Sequence, residues 1–152
     1  MEFMKEALKE AKIAVENNEG GPFGAVIVMN GKIIGRGHNQ VLKLNDPTAH
    51  GEIQAIRDAC KNIGSFSLKG ATIYTTCEPC PMCFGAIHWA RIDKVIFAAT
   101  KEDAARIGFD DSLLWKIMKG EKKPVFEYIK IKDKEVLELF EKYYNKPNKI
   151  LY

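Results

Sequence analysis

The chain has 152 residues, 46% apolar and 28% charged, enough for one ordinary core and too few for two comfortable ones. Its 23 basic and 20 acidic residues leave a net charge of +3 with no segment that concentrates positive charge, which argues against a dedicated nucleic-acid binder. No apolar run nears the roughly 20 residues of a membrane helix, and the opening MEFMKEALKE mixes charges into its apolar residues, unlike a signal or transit peptide.

The expected compartment is therefore the cytoplasm, where Cys60, Cys77, Cys80 and Cys83 stay reduced. Residues 2–16 place Phe3, Ala7, Leu8, Ala11, Ala14 and Val15 near helical spacing with charges between them, predicting an amphipathic helix. It stops at Asn17-Asn18-Glu19-Gly20-Gly21, ahead of Pro22. Residues 25–29 (AVIVM) form a continuous apolar run, as in a strand buried on both faces. Asn30-Gly31 is a hairpin signal, and residues 32–37 (KIIGRG) return as its antiparallel partner. Residues 41–49 read as a loop, with Thr48 able to cap a helix over 50–62 that Gly64 ends.

Residues 71–76 read as a strand, 81–90 as a helix with Pro81 in its first turn, and 94–99 as a further strand. Residues 101–119 form helical turns broken at Gly108. A strand over 124–131 and a helix over 133–144 capped by Asp133 follow, and 145–152 are irregular. This order predicts a single α/β domain over 1–152: a three-layer α/β/α sandwich around a mixed five-stranded sheet.

The chemistry is concentrated in His50-Gly51-Glu52 and Pro79-Cys80-Pro81-Met82-Cys83. Cys80 lies just before a helix and Cys83 one turn into it, so both sulfurs can converge on one point. His50 opens another helix, and in an α/β sandwich such helix N-termini meet in a crevice at one edge of the sheet. Two thiolates and one imidazole make three protein ligands. Structural zinc takes four; catalytic zinc keeps three and leaves a position for water, whose pKa it lowers to about 7. Glu52 can reach the same pocket without ligating, as a proton shuttle.

Other readings remain in view. A C-x-x-C redox pair makes no use of His50 and Glu52, and an iron–sulfur site lacks a fourth cysteine at a ferredoxin spacing. A non-catalytic zinc module has no use for an unliganded carboxylate at position 52. Cys77 is expected to fall short of the metal, Cys60 to lie in the core, and His38 and His88 to be structural or on the surface. The combination of H-x-E with P-C-x-x-C is the signature of zinc nucleobase deaminases.

On these motifs the chain resembles the cytidine-deaminase-fold enzymes and, within them, the small bacterial guanine deaminases. The likeness rests on GGPFGAVIV (20–28), NDPTAHGE (45–52), TTCEPCPMC (75–83), GAIHWAR (85–91) and GFDDS (108–112). It implies a cytidine-deaminase-like fold, one Zn²⁺ per chain on His50, Cys80 and Cys83, and Glu52 as the group that moves protons. It further implies that Asn39 and Asp111 bind the polar edges of the base, Asp111 also helping to move protons. Phe23, Trp89 and Phe109 would form aromatic walls. The tail 145–152, ending at Tyr152, would cover the pocket of a neighbouring subunit in a domain-swapped homodimer.

The activity implied is hydrolytic deamination of guanine to xanthine, a step of purine metabolism. The alternatives are adenosine in tRNA, guanosine, cytosine or a guanine-like triazine, with tRNA disfavoured by the modest charge. One departure is Gly51, where these enzymes usually carry Ala. It costs up to about 1 kcal/mol in helix propensity and is expected to loosen the pocket floor or admit a different substrate edge.

Overall fold

The computed structural model describes residues 2–152. Helix α1 (Glu2–Glu16) lays Ala7, Ala11 and Ala14 against the sheet. Strand β1 (Gly24–Met29) is buried along nearly its whole length, as its unbroken apolar run requires. Asn30 and Gly31 both take positive φ, 51° and 73°, the conformation that two-residue hairpins demand. They return the chain as β2 (Lys32–His38), antiparallel to β1.

A one-turn helix α2 (Val41–Leu44) occupies part of the span expected to be a loop. Helix α3 (Gly51–Ile63) ends at Gly64 in the left-handed conformation. Strand β3 (Thr72–Cys77), helix α4 (Pro81–Trp89) and strand β4 (Lys94–Ala99) follow. The expected break at Gly108, φ 99°, separates α5 (Lys101–Arg106) from α6 (Ser112–Met118). Helix α7 (Lys134–Tyr144) starts where Asp133 accepts from the Val136 N–H.

Alternation along β1 builds the layers. Ala25 and Ile27 point into a core with Ala55 and Ala59 of α3, Ile87 of α4, and Leu68, Ala71 and Ile73. Val26 and Val28 point the other way, packing with Ala7 of α1, beside Phe3, Met4 and Tyr74. Helices therefore cover both faces of a mixed sheet in the order β2-β1-β3-β4, with β1 antiparallel to β3 and β3 parallel to β4.

The sheet of the described residues has four strands, which corrects the expected five. Residues 124–131 carry strand-type side chains, yet Tyr128 is 88% exposed and, among the described residues, no strand pairs with them. Strand propensity is a preference for packing on a pleated surface, and among the described residues the segment finds no such surface.

Ile27 is fully buried at the centre of the larger core. Ile27→Ala is expected to cost about 2–5 kcal/mol and Ile27→Val about 0.5–1.5 kcal/mol, read from urea unfolding of each variant.

Candidate active site

Two helix N-termini meet at the end of β3. Beyond Cys77 the chain passes through Glu78 and Pro79, and α4 begins at Pro81, whose missing N–H costs nothing there. Cys80 is the N-cap of α4 and His50 the N-cap of α3; both have extended backbones, and neither side chain makes a capping hydrogen bond. A capping side chain ordinarily turns back onto the first helical N–H groups. Here the two turn toward each other. His50 Nδ1 lies 3.6 Å from Cys80 Sγ and 3.5 Å from Cys83 Sγ. Thr48 does not cap α3 as expected; its N–H and hydroxyl both donate to Asp46 Oδ1, which folds the preceding turn.

The donor set fits zinc. The three ligand atoms lie within 4.8 Å of one another. Tetrahedral zinc, with Zn–S near 2.3 Å and Zn–N near 2.0 Å, sets a sulfur–nitrogen edge of about 3.5 Å, close to both distances found. Cys80 is lowered to about 4, chiefly by a hydrogen bond from the Cys83 thiol, with His50 assisting. The same bond to Cys80, with burial, pushes the Cys83 thiol up. Interaction with Cys80 raises His50. Three protein donors would leave a bound zinc a position for water. Cys77 ends β3 with its thiol donating to the Thr100 carbonyl at 3.7 Å, and burial lifts it to about 11.

Glu52 is only 5% exposed. Thr75 Oγ1 donates to its Oε1 at 3.3 Å and the Cys83 thiol to its Oε2 at 3.4 Å. Burial raises its carboxyl above the ordinary range, which suits a group that must hold and release a proton near neutral pH. Nothing local marks Thr75, since one threonine in the TIYTTC strand looks like the next.

A cavity of about 470 Å³ opens onto these residues. It brings together Phe23, Asn39, His50, Glu52, Cys80, Phe109 and Asp111 from the expected site. Phe23 and Phe109 meet edge to face at 5.0 Å. Gly21 makes room for that pair, since a Cβ there would fall 2.7 Å from the Phe23 ring and 2.9 Å from the Phe109 ring. The Asn39 carbonyl oxygen accepts from the Val41 N–H at 3.1 Å, so the NH₂ group is the part of the amide left to a ligand. Burial raises the Asp111 carboxyl. Val41, Leu42 and Pro47 add an apolar wall, which the sequence hid in what read as a loop.

That wall is anchored from below. The Glu19 carboxylate accepts from Lys43 Nζ and Gln40 Nε2, both at 2.8 Å, and lies 2.7 Å from His38 Nε2. Lys43, first among these partners, holds Glu19 down at about 2. His38 thus has the structural role expected of it.

Trp89 and Tyr152 lie elsewhere. They line a separate depression with His88 and Arg91, their rings 6.2 Å apart. Gly51 is buried against the Phe23–Gly24 backbone, where a Cβ would sit 3.1 Å from the Phe23 carbonyl oxygen. The floor at this position is close-packed, contrary to the loosening expected of a glycine.

His50→Ala and Cys83→Ser are each expected to lose zinc, and Cys77→Ser to retain it, measured as metal per chain in purified protein. Retention by the first two variants would reject the donor set.

The family model for the cytidine and deoxycytidylate deaminase zinc-binding region matches residues 1–99. The chain is 47% identical over 151 residues to a guanine deaminase of Bacillus subtilis, covering 99% of this chain and 97% of that protein. A crystal structure of guanine deaminase from Bacillus subtilis superposes with a TM-score of 0.93 at 45% identity, over 99% of this chain and 97% of that one. A tRNA-specific adenosine deaminase of Bacillus subtilis is 52% identical over 97 residues, 64% of this chain and 60% of that protein. Motif, fold and donor set agree, and the chain belongs to the zinc-binding cytidine and deoxycytidylate deaminase family of hydrolytic enzymes.

Proposed function

We propose that this enzyme hydrolyses guanine to xanthine and ammonia. The observation that carries the reading is the cavity, in which an amide donor, Asn39, and a carboxylate acceptor, Asp111, accompany an aromatic pair beside Glu52. Guanine offers acceptors at O6 and N7, whereas adenine presents an amino group in place of O6. The Asn39 NH₂ can donate to the first and meets a second donor in the other. Asp111 accepts from the base's N–H groups. The likeness to guanine deaminase over 99% of the chain supports this choice over tRNA adenosine, for which the likeness spans 64%.

When bound by His50, Cys80 and Cys83, zinc supplies Lewis acidity that makes water a nucleophile at neutral pH. The chain's own groups do the rest. Phe23 and Phe109 hold the ring and keep bulk water off it. Glu52, buried and raised, takes a proton from the attacking water, gives it to a ring nitrogen, and transfers the second proton to the departing amine. The C2–O bond forms, the C2–N bond breaks, and ammonia leaves.

The working unit is a homodimer of single-domain chains, each with one zinc. Helix α7 presents Leu137, Leu139, Phe140 and Tyr144 to solvent, and Val125, Phe126, Ile129 and Ile131 precede it equally exposed. β4 is a terminal strand of the sheet, and half-exposed apolar side chains line it. A second copy matches both surfaces at once, since an isologous exchange offers each segment the partner's surface. Tyr152 stays 72% exposed despite its neighbours Trp89 and Phe66, so leaving this contact costs little. In the dimer, the tail covers the neighbouring pocket, and Trp89 and Tyr152 enter the site only through assembly.

Ammonia release from free bases, nucleosides and a tRNA stem-loop is the direct test. Guanine is expected to give the highest kcat/KM, and a preference for tRNA adenosine would overturn the substrate while sparing the deaminase chemistry. Glu52→Gln should keep its zinc and lose several orders of magnitude in turnover.

Deleting residues 145–152 should leave zinc content unchanged, impair turnover of guanine and weaken the dimer. Mixing the truncated chain with full-length Glu52→Gln should partly restore activity, because the intact tail then covers the intact site. Unchanged kinetics and association on truncation would remove Tyr152 from the site.

A further inference from the structure

Asp111 is the N-cap of α6, yet its carboxylate accepts no capping hydrogen bond from the backbone of that helix. An Asp at this position normally accepts from the N–H two or three residues on. The neighbouring Asp110 folds the local turn instead, its Oδ1 accepting from the Ser112 N–H at 2.9 Å. Asp111 Oδ2 accepts from the indole Nε1–H of Trp115 at 3.1 Å. This spends a helix cap on a side-chain contact beside the cavity.

The indole is itself held. Its ring meets Phe84 edge to face at 5.7 Å, and Phe84 follows Cys83 in α4. Lys101 Nζ lies 5.9 Å over the same ring. Trp115 is part-buried while Leu113, Leu114 and Met118 of the same short helix are exposed. A chain of contacts therefore runs from the helix that carries Cys83, through Phe84 and Trp115, to the Asp111 carboxylate.

We propose that Trp115 is a positioning residue for Asp111, its indole N–H fixing one carboxylate oxygen so that the other is presented to the base. This rests on the reading of Asp111 as a substrate contact. A free carboxylate rotates about its last bond and must be ordered when substrate binds. A hydrogen bond from a packed indole orders it beforehand, and bonds to charged acceptors are the strong ones. Trp115 touches no reacting atom and acts only through Asp111.

Trp115→Phe keeps a ring against Phe84 and removes the N–H. In the zinc-loaded enzyme it is expected to lower kcat/KM for guanine about tenfold to a hundredfold, chiefly through KM, with zinc content and thermal midpoint little changed. Added to Asp111→Asn it should cause almost no further loss, because the two act as one unit. The Trp115 indole N–H resonance in a nitrogen–proton NMR spectrum should move upfield in Asp111→Asn, where the charged acceptor is gone.

The outcomes separate. If Asp111→Asn leaves guanine turnover intact, the substrate reading of Asp111 fails and positioning with it. If Asp111→Asn is severe but Trp115→Phe is harmless, or its effect adds fully to that of Asp111→Asn, positioning alone fails. An indole resonance unmoved by Asp111→Asn overturns the hydrogen bond, and that measurement stands even if Trp115→Phe does not fold.

Discussion

The rest of the site depends on His50 and Cys80 facing each other across the ends of two helices. Each N-cap side chain leaves its own helix uncapped and turns its polar atom toward the other, 3.6 Å away. The arrangement tolerates this because the free N–H groups of both helix ends favour negative charge, and a cysteine entering a metal site becomes a thiolate. Pro81 lessens the deficit by having no N–H to satisfy. Glu52, two residues past His50, and Cys83, one turn past Cys80, then reach the same pocket without further adjustment.

Holding these helix ends in register is the task of the sheet. β3 is sandwiched between β1 and β4 and delivers Cys77 at the edge where α4 begins. α3 packs on β2 through Ala55 and Ala59, beside Gly35 and Gly37, small residues that let helix and strand approach closely. Because the interior is close-packed, a shift of α3 would carry His50 and Glu52 together. The 3.3 Å bond from Thr75 to Glu52 ties the carboxylate to the strand as well as to its helix.

Much of this was legible in the sequence, and the failures have physical causes. The two halves of the donor set were readable because each is local: Cys80 and Cys83 are one turn apart on one helix, and His50 and Glu52 two residues apart at the start of another, while their meeting depends on the sheet. β1 and the Asn30-Gly31 turn were readable for the same reason. The strand expected at 124–131 was not found, since pairing is a property of two segments and the sequence describes one. Thr48 was misread as a cap because Asp46, two residues earlier, offers its hydroxyl a nearer partner. Thr75 and the Val41–Leu42–Pro47 wall were invisible, as nothing local distinguishes a side chain that faces the cavity from one that does not.

On the proposed reading, the groups that activate water lie in one stretch of the chain, and part of the recognition lies beyond it. His50, Glu52, Cys80 and Cys83 sit within residues 1–99, the span matched by the family model. Phe109 and Asp111 lie past it, on the link between α5 and α6, where Phe109 is half-exposed and Asp111 only partly buried. A carboxylate so placed would be a poor selector if free to rotate, because a mobile group accepts many donors. Specificity on a peripheral link needs a local anchor, and Trp115 provides one by joining Asp111 to Phe84 and so to the metal-bearing helix. Residues that differ at the link can then change the base selected without disturbing the donors that activate water, while a change in α4 disturbs both.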